Sequence, residues 1–253
     1  MLKEFLTIIK EAGEILKEGY FNKKEVSFKG KKDLLTKYDV AIEKFLIEKF
    51  KPYGFNIIAE ETKHDQFGNS IIIDPIDGTT NFVKGLPFCA ISVGVFENKK
   101  PKFGIVYNPI LNELFWAVKG QGAFCNGLKL QVSNNSNFSK ALIATGFPYS
   151  GAENKEDLAW VITRLEKILP ACQDIRRYGS ASLDLCYVAK GVYDGFYEMN
   201  LKPWDVAAGS LIVNEAGGRV SDEFGKMHDM FQSRAIVASN SLIHEEFIKL
   251  LQV

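Results

Sequence analysis

Leu2, Phe5, Leu6, Ile9, Ala12 and Leu16 recur at the spacing of one helical face, and Gly19 is the expected stop. A basic connector, NKKEVSFKGKKD, follows; its lysines read as a solvated loop or as a site approached by an anion. Thr36 to Phe50 predicts a second helix with Val40, Phe45, Leu46 and Phe50 as its inward stripe. After Pro52-Tyr53-Gly54 the period changes. FNIIAEE is a short apolar strand ending in two acids, and SIIID is another ending in one. Phe88 to Phe96 alternates like a strand, Glu97-Asn98-Lys99-Lys100 is a turn, and strands at 102–108 and 113–118 are separated by Asn108-Pro109. KGQGAFCNG reads as further turn residues, so this block predicts an antiparallel meander.

The second half begins near residue 140. Leu158, Val161, Ile162, Leu165, Ile168 and Leu169 mark a helix that Pro170 ends. GSASLDLCYVAKG predicts a helix opened by Ser180 and closed by Gly191, YDGFYEM a strand, and WDVAAGSLIVNEAGG a buried helix with Asp205 at its start. Helices and strands that mix without strict βαβ repetition predict an α+β fold. No internal repeat or low-complexity segment interrupts the pattern.

Composition narrows the class. At 253 residues with 46% hydrophobic and 25% charged side chains, the chain can bury a sizeable core as one large domain or two modest ones. The 31 basic and 31 acidic residues cancel, which disfavours nucleic acid as a partner. Cys89, Cys125, Cys172 and Cys186 are scattered and form no C-x-x-C pair, so they read as core residues in a reducing compartment. His64, His228 and His244 are equally scattered, against a His/Cys zinc site. No apolar run approaches membrane-spanning length, and a cytoplasmic protein without a membrane partner is expected.

The chemistry concentrates in IIIDPIDGTTNF, residues 71–82. In an uninterrupted strand Asp74 and Asp77 would face opposite sides, because three is an odd offset. Pro75 removes a ladder donor and turns the chain, which can return Asp77 to the side of Asp74 with the Ile76 carbonyl pointing inward. Gly78 permits close approach of a ligand, and Thr79-Thr80 can open a helical turn whose free N–H groups bind an anion. Clustered carboxylates need a cation or a proton between them, and oxygen-only donors select Mg²⁺ or Mn²⁺. Taken singly, Glu60-Glu61 is a solvated strand end and Asp205 a helix cap. Their joint appearance at strand and helix termini points to phosphoryl transfer.

These residues resemble the inositol monophosphatase family of lithium-sensitive, magnesium-dependent phosphatases. Asp74 to Phe82 carries one signature complete, and Trp204 to Gly209 carries the second, Trp-Asp-x-Ala-Ala-Gly. Asp33 to Asp39 matches an Asp-Leu-x-Thr-x-x-Asp element, Glu60-Glu61 the paired acids, and GIVYNPILNELFWAVKGQGAFCNG and RRYGSASLDLCYVAKG extend the likeness nearly end to end. The resemblance implies a layered αβαβα sandwich of the inositol monophosphatase/fructose-1,6-bisphosphatase type. An N-terminal subdomain, 1–140, would carry most metal ligands, and 141–253 would complete the site. It implies two to three Mg²⁺ ions, with Mn²⁺ as a substitute: Glu60, Asp74 and the Ile76 carbonyl at the first, Asp74, Asp77 and Asp205 at the second, Glu60 and Asp77 sharing a third through water. Glu60 and Thr79 would orient an attacking water, with Asp39 hydrogen-bonded to Thr79. Asp77, Gly78, Thr79, Ala181 and Glu198 would bind the substrate, a small phosphorylated polyol or sugar. Lithium inhibition and a homodimer are implied as well. Lys29 approximates a family lysine, one residue out of step.

Three other readings use the same letters differently. Fructose-1,6-bisphosphatase activity, alone or beside inositol monophosphatase activity, is the alternative within the family. A haloacid-dehalogenase-type phosphatase needs Asp-x-Asp-Gly-Thr, whereas the spacing here is Asp-x-x-Asp-Gly-Thr. A protein- or RNA-docking regulator would not need the full set of carboxylates.

Overall fold

Two mixed sheets organise the chain, and helices cover both faces of each. The computed structural model describes residues 1–22, 26–28, 34–62, 66–148 and 154–252. The first half runs α1 (Leu2–Phe21), β1 (Val26–Phe28), β2 (Leu34–Thr36), α2 (Lys37–Phe50), β3 (Asn56–Ala59), β4 (Ser70–Asp77) and α3 (Thr79–Lys84), then β5 (Ala90–Glu97), β6 (Lys100–Asn108), β7 (Glu113–Val118), β8 (Gly122–Cys125) and β9 (Leu128–Lys129). The second runs β10 (Leu142–Thr145), α4 (Lys155–Ile168), β11 (Asp174–Arg176), α5 (Ala181–Ala189), β12 (Gly195–Met199), α6 (Pro203–Glu215), β13 (Arg219–Ser221), β14 (Ala235–Ser239) and α7 (His244–Leu251).

Strands β3 to β9 form one sheet in sequence order, parallel only between β3 and β4. The smaller sheet has the order β11-β10-β12-β14-β13. Helices α1 and α2 pack on the outer face of the large sheet, where Phe5, Ile9, Leu46 and Phe50 meet Ile71, Ile73, Ile91 and Val93. Helices α5 and α6 fill the space between the sheets, and α4 and α7 cover the far side of the small one. The layers therefore alternate αβαβα, as the resemblance implied. Odd and even positions of β4 serve different layers: Ile71 and Ile73 face α1 and α2, while Ile72 faces Ala207 of α6.

One contact sets the depth of the site. Gly94 and Gly104 are cross-strand partners in β5 and β6. A Cβ on Gly94 would stand 2.9 Å from the Ala207 Cβ, and one on Gly104 would stand 2.9 Å from the Ala208 Cα. The glycine pair lets Ala207-Ala208 rest directly on the sheet, which carries Asp205, two residues earlier, down to the end of β4.

Several sequence expectations are corrected by packing. Helix α1 continues through Gly19 to Phe21. Gly19 is a contact point, since a Cβ there would stand 2.7 Å from the Phe82 and Tyr38 rings. In α2 the inward face is Tyr38, Asp39, Ile42, Glu43, Leu46 and Phe50, and Val40 is exposed. Two acids hold inward positions because each accepts hydrogen bonds there, so the apolar stripe misstated the phase. In α4 the buried residues are Asp157, Trp160, Val161 and Ile168, and Leu158, Ile162 and Leu169 are exposed. KGQGAFCNG holds strand β8 as well as turns, which lengthens the meander. Residues 26–28 of the basic connector pair antiparallel with β2, while Lys29, Asp33 and His64 lie outside the described residues. The four cysteines are free and buried. Among the described residues no helix is long and apolar enough to cross a membrane.

Candidate active site

The site begins with an irregularity in β4. Asp74 pairs with Ser92 and Asp77 with Ala90, so three steps on β4 match two on β5. The strand does not turn away at Pro75 as expected. It absorbs the proline, which has no N–H for the ladder, as a bulge and continues to Asp77. The extra residue cancels the odd offset and gathers Asp74 and Asp77. Beyond the bulge Gly78 adopts φ +86°, and a Cβ there would stand 2.9 Å from the Phe88 carbonyl oxygen. Both the backbone and the space require glycine.

Asp205, in the first turn of α6, reaches the same point from the opposite layer. One carboxylate oxygen from each of Asp74, Asp77 and Asp205 lies within 4.8 Å of the others. The Lys202 N–H donates to Asp205 Oδ2 at 2.6 Å, and Ser92 Oγ donates to the Trp204 carbonyl at 3.3 Å, which ties the start of α6 to β5. Glu60 follows β3, the parallel neighbour of β4, and its carboxyl hydrogen-bonds that of Asp74. Asp74 Oδ1 is buried with no hydrogen-bond partner. Burial first, then the charges of Glu60, Asp77 and Asp205, hold Asp74 well above the usual carboxylate range. Burial and the charge of Asp77 do the same to Asp205.

Asp77 is held differently. The N-terminus of α5 points at it: Ser180 Oγ and the Ser182 N–H each donate to Oδ2 at 2.7 Å, and the Ser182 hydroxyl joins them. Burial raises its pKa, and these donors oppose the rise. Asp39 forms a second anchor. Its Oδ2 accepts from the Thr36 N–H at 2.8 Å and the Thr36 hydroxyl at 2.6 Å, which leaves Oδ1 facing the Thr79 hydroxyl at 3.2 Å. Thr79 Oγ1 is also 2.9 Å from the Ile76 carbonyl oxygen, so its single proton has two competing acceptors.

Glu60, Asp74, Ile76, Asp77, Gly78, Thr79, Ala181, Glu198 and Asp205 all line one cavity of about 740 Å³. Asp39 stands behind it, in contact through Thr79. Arg177 and Phe147 line the same cavity, with the guanidinium 5.4 Å from the ring centre. Glu198 is pushed up to about 8 by burial, against the pull of Arg177.

The model of the inositol monophosphatase family matches residues 1–253, the whole chain. The chain belongs to the inositol monophosphatase family. Inositol monophosphatase 3 of Solanum lycopersicum is 42% identical over 96% of this chain and 92% of its own. The extragenic suppressor protein suhB of Bartonella henselae superposes with a TM-score of 0.92 at 35% identity, covering 99% of this chain and 98% of that one. A crystal structure of SaIMPase-II with inositol monophosphate bound superposes with a TM-score of 0.82 at 27% identity over 98% and 92% of the two chains. As an inositol monophosphatase family member the protein is a phosphoric monoester hydrolase.

The residues suit the hard divalent cation on which the family depends. Two buried carboxylates and the half-buried Asp205 converge, one oxygen has no partner, and every candidate donor is oxygen, which fits Mg²⁺ and not a thiol- or imidazole-seeking metal. His244 plays no part: its ring nitrogens lie 2.9 Å from Ser221 Oγ and 2.8 Å from Ser239 Oγ, in the core. Sequence reasoning missed the residues that hold the acids, namely Thr36, Ser180, Ser182 and Glu43. Glu43 accepts the Glu61 N–H at 2.8 Å and so fixes the chain beside Glu60. The serines flanking Ala181 in GSAS carried a signal, since two hydroxyls at a helix start suggest a bound anion.

Proposed function

We propose that the protein is a Mg²⁺-dependent phosphatase that hydrolyses inositol monophosphate by direct attack of water. The observation that carries this reading is the convergence on one cavity of about 740 Å³ of the acid cluster, Gly78-Thr79 at the start of α3, and the separate acid Glu198. Glu60, Asp74 and the Ile76 carbonyl would hold one ion, Asp74, Asp77 and Asp205 a second, and Glu60 with Asp77 a third, with Mn²⁺ able to substitute. When bound, Mg²⁺ lowers the pKa of water and neutralises charge on the phosphoryl group.

The chain's own residues do the rest. Thr79 would donate its proton to Asp39 Oδ1, since its other acceptor, the Ile76 carbonyl, would serve as a cation ligand. Thr79 Oγ1 is then free to accept a proton from the attacking water, with the Glu60 carboxylate orienting that water from the other side. Asp39 is the carboxylate beside Thr79 that would accept the relayed proton, with its Oδ2 fixed by the two Thr36 donors. The N–H groups of Gly78 and Thr79 lie at the start of α3, where helix geometry leaves donors free for phosphate oxygens. Glu198 and the backbone of Ala181 would bind the polyol hydroxyls. No side-chain nucleophile is needed.

On this reading the division near residue 140 separates the half bearing Glu60, Asp74 and Asp77 from the half that supplies Asp205 and Glu198. A cytoplasmic homodimer inhibited by lithium is part of the same proposal. A phosphate-release panel with Mg²⁺ tests it, comparing inositol 1-phosphate, fructose 1,6-bisphosphate and adenosine 3′,5′-bisphosphate. Fastest turnover of inositol 1-phosphate is expected. A clear preference for the fructose ester moves the assignment to the bisphosphatase, and no Mg²⁺-dependent release from any of them ends it.

A further inference from the structure

Glu198 stands where another residue's side chain would be. The parallel register of β10 and β12 pairs Ala144 with Phe196 and Thr145 with Tyr197, so Gly146 follows in line beside Glu198. Adjacent positions of neighbouring strands project to the same side of a sheet. A Cβ built on Gly146 would overlap the Glu198 carboxyl group, in steric conflict with Cδ and both oxygens. Gly146 is absent from the positive-φ glycines, so its backbone conformation is one that other residues adopt. What only glycine provides at this position is room. The next two residues, Phe147 and Pro148, line the cavity, and Arg177 over the Phe147 ring draws Glu198 toward its charged form.

We propose that Gly146 is a specificity-determining positioning residue: its missing side chain seats the Glu198 carboxyl against the hydroxyls of a polyol phosphate and so sets the preference for polyhydroxylated over simple phosphate esters. The inference rests on the inositol monophosphatase reading and names a determinant for it. A methyl group at position 146 leaves Glu198 no place in its present rotamer, because ordinary contact needs about 3.5 Å between atoms. The carboxyl must retreat by more than about 1 Å, and a misplacement of that size is enough to cost about 100-fold in a reaction that depends on positioning. The three atoms nearest a Cβ at Gly146 all belong to Glu198, and none to the acid cluster or the Gly78-Thr79 amides that would handle the phosphoryl group.

The test uses the full-length protein with Mg²⁺ and compares kcat/KM for inositol 1-phosphate with kcat/KM for 4-nitrophenyl phosphate. Gly146→Ala is expected to lower the ratio of the two by about 10- to 100-fold, and Glu198→Gln to lower it comparably. Because Gly146 acts only through Glu198, Gly146→Ala/Glu198→Gln is expected to fall no further than Glu198→Gln alone. A folded Gly146→Ala protein whose ratio stays within twofold of wild type overturns the proposal, as does a fully additive double variant. Should Gly146→Ala fail to fold, Gly146→Ala/Glu198→Asp, whose acid is one methylene shorter, is expected to fold. Continued misfolding of that pair also overturns it. A wild-type protein that cleaves the aryl ester but not inositol 1-phosphate sinks the substrate assignment itself, an outcome separate from any result with the variants.

Discussion

Replacing Asp77 by asparagine separates its charge from its shape. The asparagine carbonyl oxygen can take over the Ser180 and Ser182 donors that now converge on Asp77 Oδ2, with two of them at 2.7 Å, so the join between β4 and α5 survives. The substitution then removes the charge of a carboxylate, one oxygen of which lies within 4.8 Å of carboxylate oxygens from Asp74 and Asp205. At that separation each ionised pair repels by about 3 kcal/mol for an effective dielectric of about 20. In metal-free protein the substitution therefore removes repulsion, and Asp77→Asn should melt at or above the wild-type temperature near neutral pH. With Mg²⁺ the order reverses, because the same charge is a favourable ligand. The rise in melting temperature on adding Mg²⁺ should shrink, and Mg²⁺-dependent phosphate release should fall by at least about 100-fold, a loss of about 3 kcal/mol in transition-state stabilisation. Melting curves with chelator and with saturating Mg²⁺, run beside a phosphate-release assay, read both effects. Activity within tenfold of wild type, or a metal-free variant that melts well below wild type, refutes the reasoning.

Three further outcomes follow from the packing and the charges. Glu198→Gln should weaken turnover of inositol 1-phosphate more than that of an aryl phosphate, and equal losses would remove its contact with the polyol. In chelated protein, Glu198 near 8 instead of its ordinary 4.5, with Asp74 and Asp205 also raised, contributes stability that is fully present below pH 4 to 5 and lost as the pH rises through about 8. The melting temperature should thus fall from about pH 5 to 8 without metal and flatten when Mg²⁺ is added; a rising curve contradicts the assignment. Gly19→Ala drives a methyl into the Tyr38 and Phe82 rings, 2.7 Å away. Overpacking of about 1–3 kcal/mol should outweigh the helix propensity that alanine gains, and chemical denaturation with no loss of stability would disprove it.

Much was legible from the chain alone. Asp74 to Phe82 and Trp204 to Gly209 carry their chemistry in consecutive residues, so the acids, the glycine and the first helical turn could be read without coordinates. The strands at 88–96, 102–108 and 113–118 were legible as apolar runs between turn residues, whereas β8 was hidden among glycines. Helix phase was not legible in α2 and α4, because Asp39, Glu43 and Asp157 occupy inward positions and accept hydrogen bonds there. A pattern that counts only apolar residues treats such acids as outward.

The sequence by itself determined which atoms could bind a cation and phosphate, since oxygen donors and free amides are properties of residue type and local order. Only the tertiary structure decided that they meet. The bulge at Pro75 turns Asp77 to the side of Asp74, the Gly94–Gly104 pair lets α6 settle onto the sheet with Asp205, and the register of β10 against β12 places Gly146 under Glu198. The seat of α6 and the place of Gly146 are relations between segments far apart in the chain, fixed by van der Waals contact and strand pairing, which no local run of residues encodes; the return of Asp77 toward Asp74 was already legible at Pro75, and only its form as a bulge was not.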